Sequence, residues 1–192
     1  YLTLMIIASL MLLMALYVFT FPRYKTEEIT GAFFGVCYVP VMLSFLYQTR
    51  SMHDGVYLVW LIFLSSWGCD TSAYCVGMLL GKHKLAPVLS PKKSIEGAIG
   101  GTLGSAILGL IYAWIFGSRM HGIEEPVIAC TVACAIAAVI SQIGDLAASA
   151  IKRNHKVKDY GHIIPGHGGI LDRFDSMIFT APAIYFVLTF LG

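Results

Sequence analysis

The chain has 192 residues, of which 57% are hydrophobic and only 12% charged, with a net charge of +2. A soluble globular domain carries about a quarter charged residues, so this composition, with a mean hydropathy of +0.76, excludes that class and indicates an integral membrane protein. The small net charge is uninformative, because in membrane proteins the distribution of Lys and Arg matters more than their sum.

In chain order there are six apolar segments, at about 1–21, 29–48, 56–80, 97–117, 126–151 and 172–191. Each is near the roughly 20 residues that cross a bilayer as a helix. Backbone groups in hydrocarbon must be satisfied internally, and none of these runs alternates with period two, so helices rather than a barrel are expected. The expected fold is an all-α polytopic transmembrane bundle of about six spans, forming a single integral membrane domain around a cytoplasm-facing polar cavity. The first segment has neither the charged leader nor the small-residue cleavage site of a signal peptide and reads as a span. A chain that starts at Tyr1 rather than Met is expected to have further sequence upstream. Glycines inside the runs, such as Gly100, Gly101 and Gly104, read as places of close helix approach. Cys37, Cys69, Cys75, Cys130 and Cys134 all lie in apolar runs, where a thiol behaves as a small hydrophobe. Cys130 and Cys134, one turn apart, have no further Cys or His at zinc spacing and read as packing.

The loops after the first, third and fifth segments hold Arg23, Lys25, Lys82, Lys84, Lys92, Lys93, Lys152, Arg153, Lys156 and Lys158, with Arg173 at the start of the last span; Arg50 and Arg119 alone fall on the other side. By the positive-inside rule the first set faces the cytoplasm. Within the third segment Asp70 lies about ten residues, hence roughly 15 Å, from that face. Ser66, Asp70, Ala73, Tyr74 and Gly77 share one helical face, a polar or small stripe suited to lining a cavity or a helix interface. A carboxylate at this depth is costly without a use or a partner. In the next loop Ser90-Pro91 fits a helix N-cap with proline at the first position, which would place Lys92 and Lys93 in a first turn whose dipole disfavours cations. That placement suggests an anion to hold; a solvated basic loop beside anionic headgroups is the plainer alternative. Four lysines without interleaved aromatics argue against a nucleic-acid partner.

Ser141, Asp145, Ser149 and Lys152 fall at i, i+4, i+8 and i+11, one face of the fifth segment, leading to the cytoplasmic mouth. Beyond them Pro165, Gly166, Gly168 and Gly169 permit a tight turn whose N–H groups can point at an anion, and Asp172 and Asp175 open the last helix. Carboxylates and cations in one layer match the needs of phosphoryl-type chemistry, in which hard oxygen ligands hold Mg²⁺ while the metal and Lys or Arg neutralise phosphate. A helix cap at Asp172 with Asp175 in the favourable first turn would explain those two without any metal. It leaves Asp145 unexplained. Of His155, His162 and His167, the last is best placed to take part.

The run Ser149-Ala-Ile-Lys152-Arg153, Lys158-Asp159-Tyr160-Gly161, Ile164-Pro165-Gly166-His167-Gly168-Gly169-Ile-Leu-Asp172-Arg173-Phe-Asp175 resembles the signature of the CDP-diacylglycerol synthase (phosphatidate cytidylyltransferase) family. Asp70 with Ala73-Tyr74 and Gly77, Gly81-Lys82, Ser90-Pro91-Lys92-Lys93-Ser94, Glu96-Gly97 and Gly144-Asp145-Leu146 support it, Ser94 standing where threonine is more usual. The resemblance covers the C-terminal two-thirds and implies further spans upstream. It implies CMP transfer from CTP to phosphatidate, giving CDP-diacylglycerol and pyrophosphate. Asp145, Asp172 and Asp175 are then the expected ligands of Mg²⁺, with a second cation such as K⁺ an open alternative, and Asp145, Lys152, Asp172 and Asp175 the expected catalytic set. Substrate is expected to meet Asp70, Tyr74, Lys92, Lys93, Ser149, Arg153, Lys158, His167, Gly168, Gly169 and Arg173. Because phosphatidate brings its own nucleophilic oxygen, Ser149 is read as a hydrogen-bonding residue and not a nucleophile. The expected setting is a bacterial plasma membrane with the site facing the cytoplasm, with a homodimer left open. A CTP-dependent lipid kinase, a cytidylyltransferase for another lipid phosphate, and a transporter are the rival readings; the last predicts internal repeats with broken helices, and no convincing repeat is evident.

Overall fold

The computed structural model describes residues 2–161 and 169–191. The helices are α1 (Leu2–Thr20), α2 (Thr26–Val36), α3 (Met42–Arg50), α4 (Gly55–Leu80), α5 (Ile95–Phe116), α6 (Pro126–Asn154) and α7 (Leu171–Leu191), with a two-stranded sheet of β1 (Lys84–Ala86) and β2 (Ser90–Ser94) between α4 and α5. By length and hydropathy five stretches can cross a membrane: α1, residues 26–50, 95–119, α6 and α7. With α4, which is 26 residues long and carries Asp70, these are the six expected segments, each within a few residues of its expected bounds.

Residues 26–50 form one span through α2 and α3, joined by a π-helical turn at Cys37–Val41. Pro40 lies inside that turn. Proline has no N–H to donate and its ring crowds the carbonyl four residues back, and a wider turn accommodates both.

Helix α6 is the central post, packed against α4, α5 and α7. Its buried face of Ala129, Cys130, Ala133, Cys134 and Ala137 meets Leu58, Leu61 and Ile62 of α4 and Ala181, Ile184 and Leu188 of α7. Small side chains on the post allow large ones on its neighbours to interlock, which is how packing energy is gained where lipid and protein are equally apolar. The five cysteines are free thiols, and Cys69, Cys130 and Cys134 are fully buried in this core. Helix α1 by contrast buries no residue and packs against α2 and the π turn.

Two close contacts fix the geometry around the polar end of the bundle. A Cβ at Gly97 would stand 2.8 Å from the Ala73 carbonyl oxygen and 3.2 Å from Gly77 Cα, so α5 crosses α4 backbone to backbone. A Cβ at Gly144 would fall 2.8 Å from the ring of Phe179, so this notch in α6 seats an aromatic of α7.

The loop between α4 and α5 departs from expectation. Ser90 does not cap a helix: residues 90–94 are an antiparallel strand paired with Lys84–Ala86, and the cap of α5 is Ser94, whose Oγ accepts from the Gly97 N–H at 3.1 Å. Glu96 holds the hairpin to the helix start, accepting from the N–H groups of Lys82 and His83 and pairing with His83 Nδ1 at 2.6 Å. Lys92 and Lys93 are therefore strand residues, presented side-on rather than from a helix turn.

Candidate active site

The hairpin, α4, α5 and α6 enclose a cavity of about 510 Å³. Asp70, Ala73, Tyr74 and Gly77 line it from α4, Lys92, Lys93 and Ser94 from β2, and Gln142 and Asp145 from α6. The α4 stripe read from helical spacing is thus one of its walls. Lys93 reaches across from the strand to form an ion pair with Asp145 Oδ2. Gln142, one turn before Asp145, donates to the Ala98 carbonyl and to Thr102 Oγ1, both at 3.1 Å, and so ties α6 to α5 beside the cavity. It was not among the expected site residues, although an amide one turn from Asp145 in an apolar helix is itself a signal.

A second cluster lies where α6 ends and α7 begins. Lys152 Nζ sits 3.0 Å from Asp172 Oδ1 and 3.5 Å from Asp175 Oδ2, with side-chain exposures of 11%, 5% and 11% in that order. Its ammonium also lies 5.1 Å from the centre of the Tyr160 ring. The other oxygen of Asp172 accepts from the backbone N–H groups of Tyr160 and Gly169, both at 2.9 Å. Asp172 therefore reaches back and ties two loop segments to the helix, in place of the expected cap. Tyr160 donates its hydroxyl to the Ala148 carbonyl at 3.2 Å, and burial pushes its phenol above the ordinary value against the pull of the Lys152 ammonium.

The helix end that presents these groups is closed by two backbone bonds, Val157 N–H to the Lys152 carbonyl and Lys156 N–H to the Arg153 carbonyl. Lys156 has φ of 58°, the left-handed position that glycine usually takes in this closure.

The two clusters face one another. Asp145 is within electrostatic reach of both Asp70 and Asp175. Asp70 accepts a long hydrogen bond (3.4 Å) from Ser176 Oγ, which in turn lies 2.7 Å from Ser66 Oγ. That serine pair joins the first half of the chain to the last, and through Ser176 of α7 the deep Asp70 has a partner.

Asp70, Tyr74, Lys92, Lys93 and Asp145 thus come together around one cavity, and Lys152, Asp172, Asp175 and Gly169 in the adjoining cluster. Ser149 is half-buried on α6, with no hydrogen bond to either cluster among the described residues. Arg153 and Lys158 are exposed beyond the helix end, and Arg173 is exposed at the start of α7, its carbonyl accepting from Trp67 Nε1 at 3.4 Å. His162, His167 and Gly168 lie outside the described residues.

Asp70, Asp145, Asp172 and Asp175 face two ammonium groups, Lys93 and Lys152, in this layer. In chemistry the donor set fits a hard divalent cation, being carboxylate without thiolate or imidazole. The carboxylates are shared between the lysines, and among the described residues no three of Asp, Glu, His or Cys converge as a ready-made cage.

Fold and site together define an integral membrane enzyme whose polar chemistry is confined to one layer of a helical bundle. The chain belongs to the cytidylyltransferase family, whose model matches residues 1–191. It is 38% identical over 183 residues to a protein of Staphylococcus haemolyticus and 38% identical over 186 to one of Staphylococcus saprophyticus, in each case over 95% of this chain and 68% of the relative. A protein of Staphylococcus aureus is 40% identical over 166 residues, 86% of this chain and 61% of its own length. All three relatives are named phosphatidate cytidylyltransferase. The chain thus spans about two thirds of the length of the relatives it matches.

Proposed function

We propose that this chain transfers the CMP moiety of CTP to phosphatidate, releasing pyrophosphate and forming CDP-diacylglycerol at the cytoplasmic face of a bacterial plasma membrane. The observation that carries this reading is the cavity in which Lys93 meets Asp145, next to the layer in which Lys152 bridges Asp172 and Asp175. Ammonium groups held beside carboxylates in a membrane bundle suit a substrate with a phosphate head and a lipid tail. The names of the staphylococcal relatives supply the two substrates.

In the reaction a phosphate oxygen of phosphatidate attacks the α-phosphorus of CTP. One P–O bond forms, the bond to the β-phosphate breaks, and the electron pair leaves with pyrophosphate. No protein nucleophile is required, so catalysis rests on positioning and on charge neutralisation. Lys152, held between two carboxylates and above an aromatic ring, is oriented before substrate arrives. Lys93, on a strand tied to the start of α5, is placed to meet phosphate oxygen in the cavity, and Lys92 stands beside it at the rim. Arg153, Lys158 and Arg173 add positive charge around the adjoining cluster. Asp145, Asp172 and Asp175 are the residues that would hold Mg²⁺, which when bound neutralises phosphate charge and polarises the phosphorus centre.

The test is incubation of the detergent-solubilised protein, in its full natural length, with phosphatidate, Mg²⁺ and CTP labelled at the α-phosphate. Labelled lipid and stoichiometric pyrophosphate are expected. Transfer of the γ-phosphate, or absence of CTP-dependent pyrophosphate release, overturns the reading in favour of a lipid kinase or another function. Asp145→Asn is expected to lower turnover by a factor of about 10²–10³ with membrane insertion unchanged; retained turnover would remove Asp145 from the site.

A further inference from the structure

The turn that joins β1 to β2 is made of Pro87, Val88 and Leu89, and Val88 at its tip is 89% exposed. Turns that face water are built mostly from Gly, Asn, Asp and Ser; this one is apolar. The tip stands at the edge of a larger apolar surface. Met78, Leu79 and Leu80 are exposed at the end of α4, and Ile95, Ile99 and Leu103 are exposed at one-turn spacing on α5, a single helical face. Helix α5 begins a stretch long and apolar enough to cross a membrane, so this face meets hydrocarbon from the first residue after the hairpin. The hairpin does not stand away from it. Strand β2 touches both α4 and α5, and Leu85 and Ser90 line the same cavity as Tyr74 and Met78, which lie in the last two turns of α4. The strands are thus folded against the two helix ends, at the level where hydrocarbon gives way to headgroups.

Charge completes the pattern. Lys82, Lys84 and Lys92 are exposed on the hairpin and its approach, and among the described residues none of the three pairs with a carboxylate. A lysine stem lies along apolar surface while its ammonium stays at the polar boundary, where an anionic leaflet attracts it. We propose that this hairpin is a membrane-docking element: Pro87, Val88 and Leu89 are immersed at the headgroup boundary of the bilayer that α5 crosses, and Lys82, Lys84 and Lys92 bind the anionic headgroups around them. The partner is a lipid surface because the apolar tip runs on into the lipid-facing sides of both helices and the unpaired charges beside it are positive. Docked in this way, the strand that carries Lys93 is held at both ends, by the tip in lipid and by Ser94 at the start of α5. This docking holds whatever reaction the cavity serves.

The test places an indole at the tip. Val88→Trp, in the protein of full natural length, is reconstituted in phosphatidylcholine vesicles with and without phosphatidylglycerol, and the emission of the unsubstituted protein is subtracted. The added emission is expected at a blue-shifted wavelength, quenched by phosphatidylcholine brominated high on its acyl chains and not by aqueous acrylamide, and quenched more when phosphatidylglycerol is present. Adding Lys84→Gln to Val88→Trp should lower the ratio of docked to undocked tip by about fivefold in the anionic vesicles and leave it unchanged in phosphatidylcholine alone. Pro87→Trp, at the neighbouring exposed position, repeats the measurement if Val88→Trp does not fold. Quenching by acrylamide in place of bromolipid puts the tip in water, and quenching by neither puts it against protein; either result overturns the proposal. Bromolipid quenching that is the same with and without phosphatidylglycerol overturns it as well.

Discussion

At the scale of single residues, Lys152 is the most heavily engaged side chain of the site. It touches two carboxylates and an aromatic ring while only 11% of its side chain is exposed. Removing one partner of such a buried group leaves the others uncompensated, a larger loss than the net worth of the pair. Lys152→Met is therefore expected to destabilise the protein by about 3 kcal/mol, read from chemical or thermal unfolding in detergent. The double variant Lys152→Met/Asp172→Asn should recover part of that loss, since it removes one of the orphaned charges; strict additivity would mean that the pair is not coupled. Asp145, Lys152, Asp172 and Asp175 were legible as a group because acidic and basic residues stand out in apolar helices. Tyr160 and Ser176 were not legible as site residues from physics alone: an aromatic in a loop or a serine in a membrane helix is common, and only the fold shows which one meets the carboxylates.

At the scale of elements, the hairpin and the helix it feeds decide where Lys93 stands. Ser-Pro-Lys-Lys looks like the start of a helix, but Ser94 has the better capping geometry and the backbone before it pairs with β1. A short strand with basic residues carries little hydrophobic periodicity, which is why the sequence pattern passed over it. The six long helical segments, by contrast, were legible to within a few residues, five of them being long and apolar enough to cross a membrane, since hydrocarbon thickness sets the length of a span. The contact of α4 and α5 rests on Gly97, and Gly97→Ala is expected to cost about 1–3 kcal/mol by forcing backbones apart. Gly31 is a natural comparison: it is helical, and among the described residues nothing lies within 4 Å of a Cβ there, so Gly31→Ala should stabilise by about 0.4–1 kcal/mol. Melting of both variants in the same detergent checks the pair; equal shifts would contradict the close crossing.

At the scale of the whole molecule, the end of the bundle opposite the site is fastened by a different kind of contact. Asp54, in the left-handed region just before α4, accepts from the Gly122 N–H at 2.7 Å and pairs with His53 Nδ1 at 3.1 Å. The Gly122 bond, with His53 behind it, holds the Asp54 carboxyl below its ordinary value. A carboxyl whose value is lowered by folding adds stability that is fully present above its unfolded value, about 3.9, and lost as pH falls through the folded one. Asp54→Ala should therefore reduce stability at neutral pH and flatten its decline below about pH 4; an unchanged acid limb would show that the clamp does not form.

At the other end, β2 runs into α5 with no intervening residue, Ser94 closing the strand and Ile95 opening the helix. Strand and span behave as one lever whose short arm carries Lys93 and whose long arm lies in lipid. Helices answer a change in hydrocarbon thickness by tilting, so a thicker or thinner bilayer that rocks α5 swings Lys93 relative to Asp145 on the central post.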